Sequence, residues 1–213
     1  MLREIISNEW ITILIVLCIS ILAFAKAAFS NRFNDFLWVI GNSKYLKIYS
    51  RDQKFIDQFD GLLFLNLIIS LALFFFILYN TFFDSLAFEL IFFFKLLIGI
   101  GAIILIKVLL ERLIGSLFEI DSLIDSYIFQ KTNYKNYIGL VLLPINILLI
   151  FAVQPTKTII YLIIGLFLII NLVGFVSSFK THQKLVFNNL FYFILYLCAL
   201  EIAPYIILYK ILN

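Results

Sequence analysis

The sequence predicts an all-α integral membrane protein: six transmembrane helices, N-out/C-out, with amphipathic helices in cytoplasmic loops 1 and 3. Three observations predict it. The 213 residues are 64% hydrophobic and only 14% charged, with a mean hydropathy of +1.10, well outside the range of soluble domains. Six stretches stay apolar for about 20 residues, the length needed to cross a hydrocarbon layer about 30 Å thick at about 1.5 Å per residue. The cations gather on one side of those stretches. Strands of a β-barrel would alternate apolar and polar over about 10 residues, and runs such as LFFFILY and YLIIGLFLII do not.

The first span, residues 10–27, carries an apolar core at Ile11–Leu22 followed by Ala23-Phe24-Ala25, which resembles a secretory signal. Its flank argues for a retained helix: Glu4 and Glu9 outnumber Arg3 where a signal needs a basic start, and cleavage would put the most basic loop outside. Loop 1 follows. Phe33, Phe36, Leu37 and Ile40 recur there at helical spacing with Arg32, Asn34 and Asp35 on other faces; Gly41-Asn42 breaks the pattern, and a second amphipathic piece carries Tyr45, Leu46 and Tyr49. Such a segment lies at the interface, aromatics in the headgroup layer and cations toward anionic lipid. It serves either as a plain connector or as a docking surface made of Arg32, Phe33, Phe36, Trp38, Lys44, Lys47 and Arg51.

The second and third spans are residues 62–79, with Asn66, and 90–110, with Lys95 and Lys107. Loop 3 then places Leu113, Leu117, Ile120, Ile124 and Tyr127 three or four residues apart, with Glu111, Glu119, Asp121 and Asp125 on other faces. It reads as the third helix running out of the membrane as an amphipathic extension. Its acids are expected to face the cations of loop 1. Apolar faces must carry most of that contact, because exposed ion pairs add only about 0 to 1 kcal/mol each. The fourth span is 137–153, the fifth 158–179 and the sixth 187–212.

Orientation follows from the cations. Loop 1 with its edge, loop 3 and loop 5 hold eleven of them, while the opposite side holds Arg3, Lys157 and Lys210. Eleven against three puts loops 1, 3 and 5 in the cytoplasm and both termini outside. The outer connections are short, so what the protein offers lies in the bilayer or on the cytoplasmic side.

Polar groups inside the spans are the candidate site. Glu201 lies between the midplane and outer third of the sixth span, and Lys95 lies near the outer end of the third, close enough in depth to pair by snorkelling. An unpaired charge there costs at least about 2.5 to 3.5 kcal/mol. Pro204 and Pro144 remove backbone donors, so each bends its helix and frees a carbonyl, Leu200 beside Glu201 and Leu140 near Asn146. With Asn171 and Asn66, these groups suggest a polar interior shared by helices 3 to 6. They act either as interhelical glue or as an ion path. Gly99, Gly101, Gly165 and Gly174 are expected to permit close helix packing.

Catalytic inventory is thin. His182 is the only histidine, Cys18 and Cys198 sit in apolar stretches without metal-ligand spacing, and no HExxH, GxSxG, P-loop or dinucleotide fingerprint occurs. The expectation is therefore no enzyme, no metal and no cofactor. A net charge of +3 does not suggest nucleic acid.

The ending LYLCALEIAPYIILYK and the stretch FAKAAFSNRFNDFL after the first span resemble an inner-membrane six-helix family of the Bacteroidota, a domain of unknown function whose most recognisable part is Leu200 to Pro204. The resemblance implies the inner membrane of a Gram-negative cell and marks Glu201 and Pro204 as family features. The function expected is a non-catalytic component that assembles with other membrane proteins in the lipid bilayer, in a Bacteroidota envelope or protein-export machine. The rival is a small transporter or ion- or proton-coupled channel using Glu201 and Lys95.

Overall fold

The computed structural model describes residues 9–40, 44–49, 57–83, 89–118 and 120–181. Their regular structure is helical: α1 (Glu9–Ala28), α2 (Ser30–Leu37), α3 (Lys44–Tyr49), α4 (Gln58–Phe82), α5 (Leu90–Leu117), α6 (Asp121–Ile147), a π-helical turn (Leu148–Ala152) and α7 (Lys157–Thr181). Five stretches are long and apolar enough to cross a membrane, namely α1, α4, α5, Ile124–Ala152 and Lys157–Gly174. Each overlaps one of the first five predicted spans. The sixth, 187–212, lies outside the described residues, as do Glu201 and Pro204.

Beside an apolar core, the bundle also turns large apolar residues outward and amides inward, unlike a water-soluble one. Ile91, Ile98 and Ile103 are 71%, 66% and 69% exposed, while Asn66, Asn133 and Asn136 are wholly buried. Lipid solvates isoleucine but offers an amide no hydrogen bond, so apolar residues turn outward and amides inward. The chain is a multi-pass membrane protein.

Local chemistry sets the helix starts. Asp57 caps α4, its carboxylate accepting from Phe59 N–H at 3.3 Å, and Asp60 adds a favourable charge to the first turn. Thr156 lies just ahead of α7, its hydroxyl accepting from Ile159 N–H at 3.4 Å. Helix α4 is central, packing against α1, α5 and α6, and its contact with α6 is the most extensive in the fold. Ile15 and Cys18 of α1 meet Ile69, Leu73 and Phe76 of α4 and Phe93 of α5 in one apolar cluster. Helices α5 and α7 flank α6 and leave broad apolar faces outward.

Three sequence expectations are corrected. The third helix does not run on through loop 3: α5 ends at Leu117 and α6 begins at Asp121. Gly115 allows the reversal, because a Cβ there would meet Ile124 at 3.0 Å, and Ile120 N–H closes the turn on the Gly115 carbonyl at 3.0 Å. The apolar stripe is thereby divided, with Ile120, Ile124 and Tyr127 buried on the α6 side while Leu113 and Leu117 face out. The fourth span accordingly starts well before residue 137.

The second correction concerns glycines. A Cβ at Gly101 would meet Ile68 at 3.3 Å and one at Gly174 the Tyr134 ring at 2.7 Å, but at Gly99 and Gly165 it would face open space. The tightest approach to a backbone is at Gly139, where a Cβ would lie 2.7 Å from Leu67 Cα, so Gly139 sets how closely α4 and α6 pack. Pro144 sits exposed within α6, and the bonding register widens at Leu148, where Val153 N–H reaches the Leu148 carbonyl at 2.8 Å. The third correction, on which acids meet which cations, belongs to the site itself.

Candidate functional site

Charged and hydrogen-bonding side chains converge at the end of the bundle where α1, α5 and α7 finish and α4 and α6 begin. Arg32 of α2 is the hub of a first group. Its guanidinium donates to Asp57 and, at 3.1 Å, to Asp60, and its Nε donates to the Tyr45 hydroxyl at 3.4 Å. Its flat face lies over Tyr49 at 4.9 Å and Phe59 at 4.8 Å. Arginine suits this position, since one planar fork serves two carboxylates and two rings at once. Tyr45 donates onward to Asn133 Oδ1 of α6 at 3.2 Å. Burial, and next the charge of Asp60, push the Tyr45 phenol above its ordinary range, so it stays neutral and able to donate.

Rings tie this group to the bundle. Phe36, fully buried, touches Tyr45, Phe59 and Tyr137 with centroids 5.6, 5.9 and 6.0 Å apart. Phe129 of α6 stacks on Tyr45 at 6.2 Å. Loop 1 and the former loop 3 therefore do pack together, through aromatic faces and one hydroxyl–amide bond.

Their ion pairs differ from expectation. Glu111, 1% exposed, accepts from Lys131 Nζ at 2.5 Å, and Arg112 pairs with Asp125 at 3.3 Å. These acids meet cations of α5 and α6 rather than of loop 1, because Arg32 is already committed to Asp57 and Asp60 and because the α5–α6 reversal brings their own neighbours close. Glu119 lies outside the described residues.

A third feature runs along α4 and α6. Asn146 donates to the Ser70 carbonyl at 2.8 Å, and the Asn66 and Asn136 amides, Ser70 Oγ and Gln130 Oε1 are buried without a hydrogen-bond partner. A fourth is a cleft of about 470 Å³ between α5, α6 and α7 with α4 as its floor. Lys107, Lys131 and Lys135 converge on it together with Asn171.

The predicted site residues thus separate. Asn66 and Asn146 do face the interior; Asn171 is exposed, bonded to its own helix at the Phe167 carbonyl, and borders the cleft. Lys95 is exposed on the outer flank of α5. Of the proposed docking residues, Phe33 and Phe36 are buried and Arg32 is tied up in its pairs, while Trp38 is 73% exposed. Arg51 and the side chains of Lys44 and Lys47 lie outside the described residues. Gln130, Asn133 and Asn136 were not among the residues that sequence reasoning selected; their spacing of three along one helix was the available signal. Among the described residues no group of three or more His, Cys, Asp or Glu converges as a metal site would.

Residues 11–212 match the family described as Domain of unknown function (DUF4271), and the chain belongs to that family. No curated protein and no solved structure matches it.

Proposed function

We propose that this chain is a non-catalytic integral membrane component that assembles with other membrane proteins, with six crossings, N-out/C-out, in the inner membrane of a Gram-negative cell. One observation carries the reading. Arg32 and the rings around it pin α2 and α3 to the bundle, yet these helices and the turn that follows α2 expose Leu37, Trp38, Ile40 and Ile48, large apolar residues outside the long apolar helices. A fixed ledge of this composition suits a partner that buries it, since aromatic anchors dominate interface energetics. Placement of that ledge in the cytoplasm rests on the positive-inside rule. The Bacteroidota setting, an envelope or protein-export machine there, and Leu200 to Pro204 as a family hallmark belong to the same reading.

Purification in mild detergent tests it. Stoichiometric partners should accompany the chain, and Trp38→Asp should remove them without lowering thermal stability. A lone species from native membranes, or partner recovery indifferent to Trp38, overturns the proposal. A reporter fused after Asn213 should be silent in the cytosol; activity there sinks the orientation.

The rival reading, a small transporter or proton-coupled channel using Glu201 and Lys95, draws support from the unpartnered amides of α4 and α6, since such groups hold water in a pathway. Its test is Glu201→Gln in liposomes. Loss of a pH-dependent flux supports it, and a fall in thermal stability alone makes Glu201 structural.

A further inference from the structure

We infer that the rim of the bundle where α1, α5 and α7 begin is a lipid-binding belt, seated in the glycerol and phosphate layer of the membrane. Aromatic side chains gather at this level from four helices. Trp10 opens α1 and is 50% exposed, Phe83 closes α4 at 70%, and Tyr161 stands one turn into α7 at 62%. Rings link them: Tyr79 stacks on Phe83 with centroids 5.2 Å apart and meets Phe92 of α5 at 5.5 Å, while Phe82 meets Tyr161 at 5.6 Å. The exposed Lys157 holds its ammonium 5.6 Å over Phe82.

Depth supports the assignment. Tyr79 and Asp60 are 19 residues apart on α4, and Phe92 and Glu111 are 19 apart on α5, so on two helices the belt stands about 28 Å from the ion pairs of the opposite end. A hydrocarbon layer is about 30 Å thick. One boundary at the ion pairs therefore puts the other at the rings. Between these levels the exposed side chains of α5 are apolar except Lys95, which lies about 5 Å along the helix from Phe92, a distance that a lysine stem spans to reach the headgroups.

Tryptophan and tyrosine suit this layer because one part of the side chain is apolar and the other offers an N–H or O–H to water and lipid oxygens. Glu9 and Glu89 are exposed at the same rim as Lys157, so the belt mixes charges and accepts headgroups of either sign. Its distribution favours lipid over a protein partner. Trp10 belongs to a helix that packs chiefly on α4 and Tyr161 to one that packs chiefly on α6; the rings follow the rim, whereas one docked partner would cover one flank. The inference stands apart from the docking role of Trp38, which lies at the other end of the bundle.

The chain has two tryptophans, so Trp38→Phe leaves Trp10 as the sole reporter. The full chain is placed in vesicles of phosphatidylcholine brominated either near the headgroup or near the end of the acyl chain, and fluorescence quenching is read. Bromine near the headgroup should quench Trp10 severalfold more than bromine near the chain end. In the Trp10→Phe, Trp38→Phe background, Phe83→Trp and Tyr161→Trp should report the same depth to within about one helical turn, about 5 Å. Ile103→Trp, in the middle of α5 and 69% exposed at present, should reverse the preference. A reporter at position 10, 83 or 161 that responds most to bromine at the chain end overturns the inference, as does one quenched by aqueous iodide and by neither lipid. Quenching by none of the three marks a surface covered by protein and overturns it as well. Because the rim positions are read separately, a variant that does not fold leaves the others to decide.

Discussion

Gly139→Ala asks the fold to accommodate one methyl group where α4 and α6 are closest. The added carbon would stand 2.7 Å from Leu67 Cα and 2.9 Å from its Cβ, against 3.4 Å where ordinary contact begins. The helices would have to part by about 0.7 Å. Leu67 cannot swing away, since the clash is with its backbone and with a side chain only 2% exposed. Separation would spread along the most extensive helix pair, to the Asn146–Ser70 bond about two turns on. Overpacking of this kind costs about 1 to 3 kcal/mol. Gly99→Ala is the control, because nothing lies within 4 Å of a Cβ there and alanine is the better helix former. Reversible unfolding in mixed micelles, titrated with a denaturing detergent, reads both variants. Gly139→Ala should lose about 1 to 3 kcal/mol and Gly99→Ala should remain within about 0.5 kcal/mol of wild type. Equal stability of the two would refute the close approach and the packing built on it.

Other residues give sharper chemical outcomes. Lys131→Met strands the Glu111 carboxylate, 1% exposed, and should cost about 3 to 5 kcal/mol; adding Glu111→Gln should recover most of it, and a second substitution without effect contradicts the pairing. Arg32→Gln removes charged bonds to Asp57 and Asp60 and should lower unfolding stability by about 1.5 to 3 kcal/mol, with Asp57→Asn in the same background adding little. Tyr45 carries a pH signature. Its phenol is raised in the fold by burial and then by Asp60, whereas the unfolded phenol ionises near about 10. The stability it contributes is thus fully present below about pH 10 and lost as pH rises through the higher folded value. The stability gap between wild type and Tyr45→Phe should narrow above about pH 10, and a gap constant through pH 11 would contradict the buried neutral donor.

Hydropathy and length were enough to locate α1, α4, α5 and α7, because a membrane-crossing helix announces itself by composition alone. The same uniformity hid which face meets which neighbour. Gly99 and Gly139 look alike in the sequence, each set among aliphatic residues, yet only Gly139 touches another helix. The break at Phe118 was illegible for a related reason: Leu113 to Tyr127 keeps helical spacing straight through a turn that depends on Gly115 meeting Ile124, a contact between helices. Arg32 was recognised as important but taken for a surface cation. Its partners, Asp57 and Asp60, lie 25 and 28 residues away, beyond the reach of any local pattern.

That separation governs how the protein is made. At about 5 to 20 residues per second, the ribosome needs roughly 1 to 5 seconds to pass from Arg32 to Asp57, and for that interval the guanidinium is unaccompanied. The insertion machinery weighs cations near helix ends while they are still bare. Once the two aspartates emerge and the salt bridges close, the share of that signal carried by Arg32 is neutralised. The nascent chain thus presents one more bare cation beside its first helix than the finished molecule does.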